Sequence, residues 1–206
     1  MLALVLAVVV NARLLQMIDL QATIGLQSAL PHAFDLPASL LSLAGSAEVT
    51  VPIFALLVLL SRPAIRIRLV LLFVLLGLLE VGGKMVITQA PPPFELYRYV
   101  FHFGPPTGRI STPFSYPSGH AARTSFLTVL AVALIAQRCA RPTTRRILTT
   151  LVLIAAAVML VSRVYVGEHW SSDVIGGTLL GAGLCLCVRL TDSGRESRIN
   201  PVGGAP

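Results

Sequence analysis

Long apolar runs separated by short polar stretches set the pattern of this chain. The runs fall at roughly 1–18, 38–60, 66–88, 118–137, 146–166 and 171–190. A helix needs about 20 mostly apolar residues to cross a bilayer, so the pattern predicts a bundle of about six transmembrane helices. The runs at 66–88, 118–137 and 146–166 are the clearest. The run at 38–60 opens on a softer half, PASLLSLAGSAE. The first is short, with ten residues before Asn11 and Arg13. Either that helix continues past them to about Asp19, or the start of the chain clips it. No alternation of a strand and no internal repeat is visible. The expectation is an all-α integral membrane protein in one membrane-embedded domain over 1–206, with its core at about 38–190 and a polar tail at 191–206.

Composition agrees with the pattern. Only 12% of residues are charged and 55% are hydrophobic, with a mean hydropathy of +0.81. A soluble domain carries about 25% charged residues. The net charge of +7 raises the question of nucleic acid, but the basic residues are split among loops between apolar runs, so no nucleic-acid partner is expected. Ten of the 16 Lys and Arg residues lie at 61–68, at 138–146 and in the tail. Alternation puts all three segments on one side, which the positive-inside rule makes cytoplasmic. Residues 20–37, 89–117 and 162–173 then face outward, as in a multi-pass protein of a bacterial inner membrane. The first ten residues lack the basic start of a signal peptide. Three cysteines, Cys139, Cys185 and Cys187, make no disulfide framework and read as small apolar fillers.

The outer segment 89–117 gathers seven aromatics: Phe94, Tyr97, Tyr99, Phe101, Phe103, Phe114 and Tyr116. Aromatics collect at the headgroup level. The segment is either an interfacial anchor or a wall that guides a lipid headgroup.

Ionisable groups are expensive at membrane depth and mark functional sites. Here they crowd the outward side: Lys84 near the end of the third run, His120 and Arg123 at the start of the fourth, Arg163 at the end of the fifth, His169 and Asp173 at the start of the sixth. In Pro117-Ser118-Gly119-His120, Ser118 suits a helix N-cap and Gly119 permits close approach of an anion to the backbone. Free N–H groups at a helix start bind phosphate, with His120 as an acid or base beside it. His169 and Asp173 are four apart, on one face of a helix; the carboxylate would hold one ring nitrogen and leave the other to attack. Arg163 offers a fork for phosphate oxygens, or anchors to headgroups. Lys84 offers a point charge, or pairs with Glu80 one turn earlier. A metal held by His120, His169, Asp173 and Glu168 is the rival arrangement. Glu168 and His169 would point apart on a helix, and the nearby cations would repel a metal ion, so none is expected.

These motifs resemble the type-2 phosphatidic acid phosphatase superfamily, which holds membrane lipid phosphatases and soluble haloperoxidases. The match is Pro117-Ser118-Gly119-His120, then Ser162-Arg163 with His169 and Asp173, within about 38–190. The resemblance implies a lipid phosphate phosphatase that needs no cofactor or metal. His169 is implied as the nucleophile that becomes phosphohistidine, Asp173 as its orienting carboxylate, and His120 as the acid that protonates the leaving oxygen. Lys84, Ser118, Gly119 and Arg163 are implied as phosphate ligands. Phosphatidate, phosphatidylglycerophosphate and isoprenoid (di)phosphates are the implied substrates. A lipid-linked phosphotransferase using the same site is the alternative. One position departs: the family's first motif is Lys, six residues, Arg-Pro, whereas Lys84 is followed after six residues by Pro91-Pro92. Arg98 and Arg109 are the outer-loop candidates to replace that arginine, with Arg109 the better placed.

Overall fold

The computed structural model describes residues 2–101 and 114–199, with side chains to 188. Among these residues eight helices form: α1 (Leu2–Asn11), α2 (Gln16–Ala29), α3 (Asp35–Leu43), α4 (Ala47–Leu59), α5 (Pro63–Val86), α6 (Gly119–Arg138), α7 (Pro142–Tyr165) and α8 (Ser171–Ile199). Proline opens α5 and α7 at the first helical position, where its missing N–H costs no hydrogen bond.

Three helices are long and apolar enough to cross a membrane: α6, α7 and the Ser171–Val188 part of α8. Two further spans arise if each bent pair is counted as one, which gives three to five among the described residues; α5, the predicted 66–88 span, is not one of them. The predicted 1–18 span is such a pair, since α1 and α2 meet at 96°. Asn11, the last residue of α1, accepts through its side chain from the backbone N–H and the hydroxyl of Thr88, at 3.0 and 3.2 Å. Arg13 then turns with φ 60°, and α2 runs on past Asp19. The predicted 38–60 span is the second pair, bent by 45° between Leu43 and Ala47. The 24-residue α5 carries Glu80 and Lys84 toward its end, and between its charged ends it exposes Val70, Leu71, Val74 and Leu78 in the manner of a lipid-facing helix. Helix α8 continues about nine residues beyond the predicted limit of 190.

Helix α6 is the axis of the bundle. Half of its span is buried, against 22% for α7, whose exposed Leu151, Ile154, Val158 and Val161 face the space lipid tails fill. The core gathers Phe54 of α4, Phe73 of α5 and Phe126 of α6. Phe54 and Phe73 stack at 4.0 Å, and Phe126 meets both edge-on at 5.9 and 5.4 Å. Cys185 is buried in the same core, and no disulfide engages any of the three cysteines. Arg66 and Arg138 donate to the carbonyls of Leu59, Leu60 and Ser61 at the end of α4. Cations there satisfy the orphan carbonyls of a helix terminus.

Helices α6 and α8 cross with their backbones close together. A Cβ added at Gly181 would overlap the Ala122 carbonyl, and one at Gly177 the Ser118 carbonyl. Gly181→Val is therefore expected to destabilise the fold by about 1–3 kcal/mol, the usual cost of overpacking. Thermal unfolding in detergent measures it. Gly183→Ala, with nothing within 4 Å of the added methyl, should leave the transition in place.

Candidate active site

The α6–α8 crossing brings the two motifs together. Ser118 is the N-cap of α6, its hydroxyl accepting from Ala121 N at 3.4 Å, and its own N–H donates to the Asp173 carbonyl at 3.0 Å. The start of α6 is thereby tied to the first turn of α8.

His169 and Asp173 do not share a helix as the spacing predicted. Residues 166–170 form a turn between α7 and α8. Gly167 sits there at φ 72°, a conformation that favours glycine, and a Cβ would also strike the Leu96 carbonyl. The pairing still forms, with His169 Nδ1 3.3 Å from Asp173 Oδ2. The same carboxylate oxygen accepts from Trp170 N at 3.1 Å. Asp173 is the third residue of α8 and reaches back to the residue before it, as the acidic half of a capping box does. The non-helical turn also removes the premise that Glu168 and His169 point apart on a helix. Among the described residues no three His, Cys, Asp or Glu side chains converge as metal ligands.

Arg163, 3% exposed, sits in the last turn of α7. Its Nη1 is hydrogen-bonded to Ser42 Oγ and ion-paired with Glu168. Ser42 in turn donates to Glu168 at 3.3 Å. Lys84 pairs with Glu80 at 3.3 Å, and Arg123 reaches the other Glu80 oxygen at 2.9 Å. The alternative sequence reading of Lys84, as the partner of Glu80, is therefore the arrangement seen. The Glu80 carboxylate lies against Gly119, where an added Cβ would overlap it. The close anionic approach that Gly119 permits is thus filled by this side chain.

His120 stands one residue into α6 beside the α3–α4 break, where a Cβ on Gly45 would meet its Cδ2 at 3.1 Å. It lies within electrostatic reach of Arg163, Arg123, His169 and Lys84. All seven residues singled out from the sequence, Lys84, Ser118, Gly119, His120, Arg163, His169 and Asp173, are thereby drawn to one end of the bundle. Burial, then the Arg163 and Lys84 cations, hold the His169 imidazole well below the usual histidine range, which keeps it neutral. Tyr116, which packs on Gly176, is pushed up to about 12 by burial and by Asp173.

Of the two arginines offered for the missing motif position, Arg98 is committed elsewhere. It donates to Tyr165 Oη at 3.1 Å, lies 3.9 Å from Asp35 and stacks over the Tyr165 ring at 5.3 Å. Arg109 lies outside the described residues. The third cation near His120 is Arg123. The aromatic segment does form a ladder, with Phe94, Tyr97, Tyr99 and Phe101 in successive ring contacts at 5.9, 6.2 and 5.6 Å; Phe103 is outside the described residues.

Sequence reasoning passed over Asp19, Ser42 and Gln89. Asp19 is 2% exposed and accepts from Ser171 Oγ, Ser172 N and Ser172 Oγ at 2.6, 2.8 and 2.6 Å. Its only sequence signal is a carboxylate in an apolar region, the same signal used for Lys84 and Asp173. Ser42 belongs to the softer half of the second run.

A buried histidine–carboxylate pair, a capped helix N-terminus and the cations Lys84, Arg123 and Arg163 thus share one end of a helical membrane bundle. A profile described as the PAP2 superfamily matches residues 66–195, and the chain belongs to that superfamily. It is similar to an undecaprenyl-diphosphatase of Sulfolobus acidocaldarius, 35% identical over 164 residues that cover 77% of this chain and 71% of the relative. Its fold is similar to that of a transmembrane PAP2-type phosphatidylglycerolphosphate phosphatase from Bacillus subtilis, with a TM-score of 0.72 at 22% identity, covering 94% of this chain and 93% of the other.

Proposed function

We propose that this chain dephosphorylates a membrane lipid phosphate or isoprenoid (di)phosphate through a phosphohistidine, without a metal ion. The observation that carries the reading is the buried His169–Asp173 pair set beside Arg163 and the capped start of α6. Asp173 holds Nδ1, which leaves Nε2 of a neutral imidazole free. The Nε2 lone pair attacks the terminal phosphorus, and the bond from that phosphorus to the leaving oxygen breaks. That oxygen, the lipid oxygen of a monophosphate or the bridging oxygen of a diphosphate, takes a proton from His120. Water then gives a proton to His120 and attacks phosphorus, breaking the P–N bond and releasing inorganic phosphate. Charge on the three equatorial oxygens needs preorganised cations and N–H groups. Arg163, Lys84, Ser118 and the Gly119 backbone take that role, and substrate competes with Glu80 and Glu168 for the two cations. The relative named for undecaprenyl diphosphate makes that lipid the first substrate to try.

We place the site on the outward face, because the arginines that close α4 lie at the other end and basic ends face the cytoplasm. The test is phosphate release from a panel of lipid phosphates in detergent. Release should persist in excess EDTA and fall with vanadate, which takes the five-coordinate geometry of the transition state. Loss in EDTA with rescue by a divalent ion would overturn the metal-free mechanism. Transfer of phosphate to an added alcohol in place of water would point to the phosphotransferase.

A further inference from the structure

We propose that Gln89 is a positioning residue of the His169 nucleophile, acting through Asp173. The proposal rests on the phosphohistidine reading above. Gln89 lies five residues after Lys84, in the segment where α5 has ended, and is 7% exposed. Its side-chain nitrogen donates to Asp173 Oδ1 at 3.1 Å and to Ser172 Oγ at 2.9 Å. Both amide hydrogens are thereby used. Asp173 Oδ2 is left for His169 Nδ1 and Trp170 N. The carboxylate is thus held at both oxygens.

Gln89 is itself held at both ends. Its backbone carbonyl accepts from Ser115 N at 2.9 Å and from Ser115 Oγ at 3.2 Å. Ser172, its second acceptor, donates onward to Asp19 Oδ2. A continuous chain therefore runs from Asp19 on α2 through Ser172, Gln89 and Asp173 to His169. Buried hydrogen-bond networks of this kind restrict the geometry of their members. An amide suits the position between two carboxylates, because it brings two donors and no charge. Gln89 does not touch the phosphoryl group in this arrangement. Its effect should appear in the chemical step and not in substrate binding.

The experiment compares Gln89→Met, which keeps length and removes both donors, with the parent. A hydrogen bond to a charged group is worth enough to predict a fall in kcat of about 10- to 100-fold, with KM within about threefold. Gln89→Glu, of the same shape but with a repelling charge beside Asp173, should fall at least as far, and it decides the matter if the methionine variant does not fold. The distinguishing measurement is a double-mutant cycle. In an Asp173→Asn background, followed as single-turnover formation of the phosphoenzyme, adding Gln89→Met should change the rate by less than about twofold. A kcat kept near the parent value, a change confined to KM, or an equal loss in both backgrounds would each overturn the proposal. A parent chain that releases no phosphate from any lipid phosphate overturns the functional reading and this proposal together.

Discussion

Replacing His169 by alanine is expected to remove turnover almost completely, by at least about 1,000-fold in kcat, while the protein stays folded in detergent. The argument is one of chemistry and of packing. A nucleophile acts as a unit with the group that orients it, and losing one member costs nearly as much as losing all. His169 lies in the turn between α7 and α8, and among the described residues its ring is hydrogen-bonded to Asp173. The turn is held independently, by backbone His169 N to the Arg163 carbonyl at 3.3 Å and by the Trp170 indole Nε1 to the Ala90 carbonyl at 2.8 Å. Ser118 N still binds the Asp173 carbonyl. The alanine variant therefore separates chemistry from folding. Phosphate release and trapping of a labelled phosphoenzyme are the two measurements, and retention of either near the parent level would sink the mechanism.

Replacing His120 by asparagine is expected to cost about 100- to 10,000-fold in kcat on a lipid alkyl phosphate, the range of general acid–base catalysis. The loss should depend on the leaving group. An alkoxide needs its proton in the transition state, whereas an aryl oxide leaves unaided. On an aryl phosphate the variant should form phosphoenzyme at close to the parent rate and stall before hydrolysis, because the second step still requires a base for water. A burst of aryl alcohol equal to the enzyme, followed by slow turnover, is the expected trace. An equal loss on both substrates, without a burst, would reassign His120 to a binding role. The position of the ring against Gly45 makes asparagine the gentler substitution, since it leaves less empty space than alanine at a packed site.

Much of this site was legible because its residues violate the membrane pattern. Lys84, His120, Arg163, His169 and Asp173 interrupt apolar runs, and the cost of burying such groups leaves few reasons for them to be there. The motif Pro117-Ser118-Gly119-His120 also predicted its own local structure, since a serine cap followed by free N–H groups depends on neighbouring residues alone. What the spacing did not predict was the company these groups keep. Glu80 sits against Gly119 and joins Lys84 to Arg123, and Glu168 occupies Arg163. Arg98 carried the same sequence signal as the other outer arginines, yet Asp35 and Tyr165 claim it.

The uninterrupted runs of α6, α7 and α8 were set by sequence alone, because a 20-residue apolar stretch in a bilayer must satisfy its backbone hydrogen bonds internally and so must be helical. Serine caps, proline starts and the asymmetry of arginine belong to the same class, since each acts within one helical turn or through the membrane itself. The bends at 12–15 and 44–46, the turn that carries His169, and the Asp19–Ser172–Gln89–Asp173 chain were decided by tertiary structure. Each depends on partners far along the chain: Asn11 with Thr88, Ser42 with Glu168, Asp19 with Ser172. Local sequence limits the conformations open to such residues. Which one is kept depends on the requirement that every polar group, once buried, finds a partner, and that partner exists only after the helices have packed.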